Sequence, residues 1–408
     1  MRCRVLFVIP TLDRCGAEKQ LTLLATRLPK ERFDVKVVLL TRGGPYLQEI
    51  LDAGIPGEII GKKGKLSLRA YFRLKKAIKR FRPDIVHTWL FAANAYGRKA
   101  AFACKVPVVV CGERCVDPWK GAIHKWIDKM LESKTDVYAV NSSGIVDFYS
   151  QRGIPADKFV VIPNAVETPS VPKPLSKRAL LEELGLPPNG KQPESSGKQA
   201  LFEEFAIADT SNQPDSPWII GLVARLWPQK RIHDALWAAD QLKFSLLNFY
   251  LIIIGDGPEK DALLRYREDL QLRDRVLFLG ERDDVARFMT SFDLLWNCSE
   301  YEGQSNSILE AQSLGVPVMA SDIPGNRDLI DSGKNGLLIS EFDGDETRRR
   351  TAFSRETIRL FKVENRYLLK EWGEAGKKRI ETEFSLQQMI ARYVELYERL
   401  LASKSDKK

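Results

Sequence analysis

No run of apolar residues in this 408-residue chain approaches the ~20 needed to cross a bilayer, so no membrane-spanning helix is expected. Val5 to Ile9 is apolar but is stopped by Pro10 before it could serve as the core of a secretory leader. Together these absences predict a cytoplasmic protein. Cysteine is sparse and scattered, at Cys3, Cys15, Cys104, Cys111, Cys115 and Cys298, which fits reduced thiols and argues against a disulfide framework. Cys104, Cys111 and Cys115 are irregularly spaced with no histidine close in sequence, so no metal is expected. No zinc-finger or RNA-binding signature accompanies the net charge of +9, and nucleic acid is not expected as a partner.

Acidic residues are missing altogether from Lys62 to Pro83, where much of the positive charge sits. Leu68, Tyr71, Phe72, Leu74, Ile78 and Phe81 fall largely on one helical face of that stretch. It reads either as an ordinary covering helix with a solvated basic face or as an attachment point for anionic lipid or a phosphorylated acceptor. Peripheral contact with an anionic membrane, at its inner face, is the functional expectation.

The length is too great for one comfortable core, and the 44% of hydrophobic residues is enough to fill two. Short apolar runs alternate with amphipathic stretches: VLFVI, a helix from about Gly16, VKVVLL, a helix from Pro45, IVHTW, a helix from Ala92, VPVVV and YAVNSS. This is βαβα repetition, hence a parallel sheet covered by helices. VVIPNAVETPSVP ends the first unit, and 187–217 is rich in Pro, Ser, Gln, Asn and Gly, although ALFEEFAIA within it could form a short helix. Alternation resumes with WIIGLVARL, FYLIIIGDG, VLFLGE, LLWNCS, GVPVMASD and NGLLIS. The predicted division is an N-terminal domain over 1–168, a linker and insertion over 169–216, a C-terminal domain over 217–383 and a terminal helix in 384–408. Tyr393, Leu396, Tyr397 and Leu400 share one face of that helix.

The most informative stretch is EYEGQSNSILEAQSLGVPVMASDIPG, which spaces Glu302 and Glu310 across the entry to a helix. Ile308, Leu309, Ala311 and Leu314 recur at helical spacing, so the helix is predicted to begin at Ser305 or Asn306, with Glu310 about one turn inside. A helix start offers unpaired N–H groups and a positive dipole end that suit a phosphate. Two carboxylates beside a phosphate make electrostatic sense when they bind hydroxyls, and a sugar nucleotide carries hydroxyls on both sides of its diphosphate. The bland reading is two solvated glutamates; the buried strand GVPVMASD just after the helix weighs against it by placing the helix start at the carboxyl edge of a parallel sheet.

On these residues the chain resembles the GT-B-fold retaining glycosyltransferases of the large family 4 group, over nearly its whole length apart from the insertion. EGQSNSILEAQSLGVPVMASD matches that family's E-x7-E donor motif, and GLVARLWPQKR matches its basic segment, with Arg225 and Lys230 in place. VIPNAV, IIIGDGPEK, PDIVH and EFSLQQMIARYVELYERL are weaker matches. The resemblance implies an α/β, GT-B architecture, two Rossmann-like doubly wound parallel-sheet domains facing a central cleft, with the last helix crossing back onto the first. It also implies a nucleotide diphosphate sugar as co-substrate, no cofactor, and a glycan, lipid-linked or small-molecule acceptor.

By the same resemblance Arg225 and Lys230 would face the diphosphate in place of a metal, and Glu310 would bind the ribose hydroxyls. Glu302 would contact the transferred sugar, while Asn306, Ser307 and Ile308 offer backbone N–H groups and Gly303 permits close approach. The chain around Glu281 and Arg282 is where the family commonly holds the base through its backbone. Gly16 stands where relatives carry a glycine-rich loop, with Cys15 replacing one glycine of the usual pair. His87, Trp89 and Asn94 would lie at the acceptor; Trp89 replaces the second histidine of many relatives, and a strand-end histidine is commonly a packing residue. Gly255 to Pro258 shapes a turn and lacks the third glycine of a dinucleotide fingerprint. The reaction expected is sugar transfer with same-face attack, the domains closing around both substrates. Within this fold the rivals are a nucleotide-sugar 2-epimerase and a phosphorylase, the latter without its lysine motif. A catalytically silent sugar-nucleotide-binding protein is suggested by Cys15 and Trp89. None of these explains Arg225, Lys230, Glu302 and Glu310 in that order.

Overall fold

The protein is described by a computed structural model at residues 2–64, 66–167, 171, 173–187, 216–246, 248–340 and 346–405. The chain divides into two compact units, one made of Met1–Ala165 with Phe384–Lys408 and the other of Val166–Glu383. Most of the Pro- and Ser-rich stretch, including ALFEEFAIA, lies outside the described residues.

In the first unit the strands are β1 (Cys3–Ile9), β2 (Phe33–Leu39), β3 (Gly57–Ile59), β4 (Ile85–Trp89), β5 (Val108–Glu113), β6 (Val137–Val140) and β7 (Phe159–Val161). They pair in parallel in the order β3-β2-β1-β4-β5-β6-β7. Between them run α1 (Gly16–Arg27), α2 (Tyr46–Asp52), α3 (Leu68–Phe81), α4 (Phe91–Ala103), α5 (Ala122–Glu132) and α6 (Ser143–Ser150). The unbroken apolar run Val5–Ile9 of β1 explains the double winding. Val5, Phe7 and Ile9 point to one face, where Leu21 and Leu24 of α1 meet them, while Leu6 and Val8 point to the other, against Leu74 and Ile78 of α3.

In the second unit, α7 (Lys177–Glu183) precedes β8 (Trp218–Val223), β9 (Phe249–Ile254), β10 (Val276–Phe278), β11 (Leu294–Asn297), β12 (Val318–Ser321) and β13 (Leu337–Ile339). These pair in parallel in the order β10-β9-β8-β11-β12-β13. The helices are α8 (Ile232–Leu242), α9 (Lys260–Asp269), α10 (Val285–Met289), α11 (Asn306–Ser313), α12 (Pro324–Arg327), α13 (Glu346–Phe361) and α14 (Arg366–Glu383).

The terminal helix, α15 (Leu386–Ser405), belongs to the first unit, where Met389, Tyr393, Leu396 and Tyr397 are buried against the face that also holds Phe7 and α1. At ~1.5–3 kcal/mol for each large apolar side chain removed from water, this face alone secures the helix. Among the described residues no helix is long and apolar enough to cross a membrane.

Candidate active site

The second sheet reverses its winding between β8 and β11: from β8 the chain proceeds outward through β9 and β10, and from β11 it proceeds the other way through β12 and β13. Loops leaving the carboxyl ends of two such strands turn to opposite sides and leave a crevice, the place where open parallel sheets bind ligands. Arg225 and Lys230 follow β8, and Glu302, Gly303 and the start of α11 follow β11. The two loops are stitched together, since the Glu300 N–H donates to the Gln229 carbonyl at 2.8 Å.

Within that junction Lys230 is ion-paired to Glu302, both side chains largely buried, and Ser299 Oγ donates to the same Glu302 oxygen at 2.8 Å. Arg225 is exposed two residues beyond the strand end, its guanidinium carbon 5.4 Å from the centre of the Trp227 ring. Helix α11 begins at Asn306, as the sequence predicts, which puts Ser307 and Ile308 in its first turn and the half-buried Glu310 just beyond. Ser305 occupies the N-cap but its side chain makes no bond to the backbone amides of the helix. Its hydroxyl instead accepts from Asn297 Nδ2 at 3.0 Å and lies 3.0 Å from the Ser307 hydroxyl. The Ser305 side chain therefore does not cap the first-turn amides, at the end of the helix whose dipole favours an anion.

Asn297 is the hub of this arrangement. Its side-chain oxygen accepts from the Ser299 N–H at 3.3 Å and from Asn326 Nδ2 at 3.4 Å, and Asn326 also donates to the Ser321 carbonyl at 2.9 Å. Asn297, Ser299 and Ser305 escape a reading centred on charged pairs; the signal available for them is the run of short polar residues straight after an apolar strand, NCSEYEGQSNS.

Neighbouring loops crowd against the same edge through glycine. A Cβ at Gly255, whose φ is +138°, would lie 1.9 Å from the Ala224 carbonyl oxygen, next to Arg225. A Cβ on Gly325 in α12 would lie 1.6 Å from the Gly303 carbonyl oxygen. The backbone of the Glu302 loop thus rests directly on α12. Gly255 donates its N–H to the Gly280 carbonyl at 2.8 Å, which brings the Glu281 and Arg282 loop to the same edge. Glu281 is exposed, whereas the Arg282 side chain is held by Asp284 at 2.7 and 3.0 Å and stacks over Phe288.

In the first unit the corresponding reversal lies between β1 and β4. Gly16 opens α1 there, exposed, with Cys15 as an extended N-cap. His87, Trp89 and Asn94 do not form the acceptor surface expected of them: none has exposed surface. His87 Nδ1 lies 2.8 Å from the Tyr397 hydroxyl of α15, and its ring is packed among Phe7, Trp89 and Tyr393. Burial, with Arg114 adding positive charge, holds its pKa well below the ordinary 6.5, so the imidazole is neutral. Trp89 is covered by the Arg114 guanidinium at 4.5 Å. Asn94 ties the start of α4 to the end of β5, donating to the Gly112 carbonyl and to Glu113, both at 3.0 Å. All three hold elements of the first unit together.

Comparison with known proteins follows the same division. The model for "Glycosyltransferase Family 4" matches residues 15–169, and that for "Glycosyl transferases group 1" matches residues 204–379. The Escherichia coli UDP-Gal:alpha-D-GlcNAc-diphosphoundecaprenol alpha-1,3-galactosyltransferase is 27% identical over 336 residues, covering 78% of this chain and 79% of the relative. The Bacillus anthracis N-acetyl-alpha-D-glucosaminyl L-malate synthase is 30% identical over 168 residues, 41% of this chain and 42% of its own. Among solved structures, HepE of Anabaena in complex with UDP and glucose superposes with a TM-score of 0.78 at 20% identity, covering 98% of this chain and 100% of that one. The two parallel-sheet units make a GT-B fold, and with both halves matched in order the chain belongs to the glycosyltransferases of the group 1 and family 4 type.

Proposed function

We propose that this protein transfers a sugar from a nucleotide diphosphate sugar to an acceptor hydroxyl with retention at the anomeric carbon, without a metal, in the building of a polysaccharide or glycolipid. The observation that carries the reading is the junction of β8 and β11, where Lys230 and Glu302 meet beside the start of α11. Seated there, the diphosphate takes the α11 amides and the two cations Arg225 and Lys230, whose fixed charge grows more favourable as the leaving group becomes more negative. Lys230 then exchanges part of its pairing with Glu302 for phosphate, and the Glu302 carboxylate turns to sugar hydroxyls. Glu310 takes hydroxyls at the nucleoside end.

In the step itself the bond from the anomeric carbon to the diphosphate oxygen breaks and a bond to the acceptor oxygen forms on the same face. The acceptor's proton passes to the departing phosphate oxygen, so no protein nucleophile is needed. The name of the E. coli relative, with its UDP-Gal donor and diphosphoundecaprenol-linked acceptor, supports a uridine nucleotide and a lipid-linked acceptor.

A thermal-shift panel of nucleotide sugars identifies the donor, because a ligand that binds only the folded chain raises its melting temperature with concentration. The product made from the best donor, in the presence of chelator, is then read for anomeric configuration by NMR. A retained configuration with unreduced rate is expected; an inverted product, or activity abolished by chelation and restored by a divalent cation, overturns the reading.

A further inference from the structure

Lys230 is followed by a residue in a strained conformation. It ends the 3-10 turn Pro228–Lys230, and Arg231, next in the chain, joins that turn to α8 with φ +51° and ψ +44°. This is left-handed backbone, where a Cβ crowds the following carbonyl and which glycine alone adopts freely. An arginine kept there needs compensation from its surroundings.

The compensation comes from Asp234, in the first turn of α8. Its buried carboxylate takes two guanidinium groups: Arg231 Nε lies 2.9 Å from one oxygen, and Arg350 Nε of α13 donates to the other at 2.7 Å. The Asp234 N–H also donates to the Arg231 carbonyl at 2.9 Å. Arg231 is thus held through both backbone and side chain. On the other side of Lys230, the Gln229 carbonyl is held by the Glu300 N–H, so the chain is anchored before and after the lysine. The Arg231 guanidinium also lies 3.6 Å from the Glu300 carboxylate, but that acid is more than half exposed and the pair contributes little. The buried, charge-assisted bonds to Asp234 are the stronger anchor.

We infer that Asp234 is a positioning residue for the donor site: by holding Arg231 left-handed it aims Lys230 back at Glu302 and at the diphosphate. The inference rests on the reading of this junction as a diphosphate site. A merely structural role for Asp234 would be to fasten α8 to α13 through Arg350, and Lys230 would then be indifferent to the backbone of residue 231.

The test is the affinity of the full chain for UDP, measured by titration calorimetry. Arg231→Ala removes the guanidinium but leaves a Cβ in the strained position, whereas Arg231→Gly removes the guanidinium and the strain together. Arg231→Ala should weaken UDP binding about tenfold, and Arg231→Gly should keep most of the wild-type affinity. Asp234→Asn should weaken binding to a similar extent, and combining it with Arg231→Gly should restore most of the loss. Melting temperatures without UDP report which variants fold. Arg231→Ala and Arg231→Gly both leave Asp234 with Arg350, so their comparison decides the matter even where Asp234→Asn does not fold. Equal affinities for Arg231→Ala and Arg231→Gly, or an Asp234→Asn defect that Arg231→Gly does not relieve, overturn the inference. Lys230→Ala separates it from the donor reading. Unchanged UDP binding in Lys230→Ala overturns the donor site and this inference with it, whereas weakened binding there, beside equal affinities for the two Arg231 variants, overturns the role of Asp234 alone.

Discussion

Ser305 stands where a serine ordinarily caps a helix, yet Asn297 draws its hydroxyl away from α11. If the diphosphate sits at α11 as proposed, this diversion makes Asn297 a positioning residue for it. In Asn297→Ala the freed hydroxyl can turn to the α11 amides and compete with phosphate, a capping interaction worth roughly 0.5–2 kcal/mol. Donor KM should rise up to about tenfold with kcat changed less, and adding Ser305→Ala, which removes the competing hydroxyl, should recover part of the loss. An unchanged KM, or a double variant worse than the single one, contradicts this role. The start of α11 and the carboxylates on either side of it were legible in the sequence because polar and charged residues at fixed spacing around a helix start are a local signal. The Asn297 relay was not, because uncharged hydrogen-bond partners leave no spacing rule. His87 failed for a different reason: the Tyr397 hydroxyl that holds it lies 310 residues away along the chain.

At the level of elements, that same pair attaches α15 to the first sheet. A buried neutral histidine takes up a proton in the unfolded chain before it does in the folded one, so its folded pKa is depressed. The stability it contributes is complete above its ordinary value of 6.5 and is lost as pH falls below it, by at most about 1.4 kcal/mol per pH unit. Urea midpoints measured between pH 7.5 and pH 5, at about half-unit steps, should fall for the wild-type chain. They should fall less steeply for His87→Phe, which has nothing to titrate there and should be less stable at pH 7.5 by about 1–3 kcal/mol. Parallel slopes in the two proteins contradict the assignment. Long strands such as β1 and β9 were plain from sequence because both faces are covered and Val5–Ile9 and Phe249–Ile254 are apolar throughout. The edge strands β3 and β7 have three residues each, too short for any periodicity to register. Helices α13 and α14 were hidden among charges, since only a narrow stripe of each is buried.

Across the whole molecule one rule is used twice: a parallel sheet changes its winding direction, and the loops at that point gather polar side chains. In the first unit those side chains are spent on internal packing and on the return of α15. In the second, a buried ion pair and the start of α11 face the edge together. The claim that a nucleoside diphosphate binds at that edge is tested most directly by hydrogen exchange of the full chain with and without UDP, resolved by peptide. The account predicts slowed exchange in peptides spanning 224–230 and 303–310. No change with saturating UDP, or protection confined to peptides of the first unit, would contradict it.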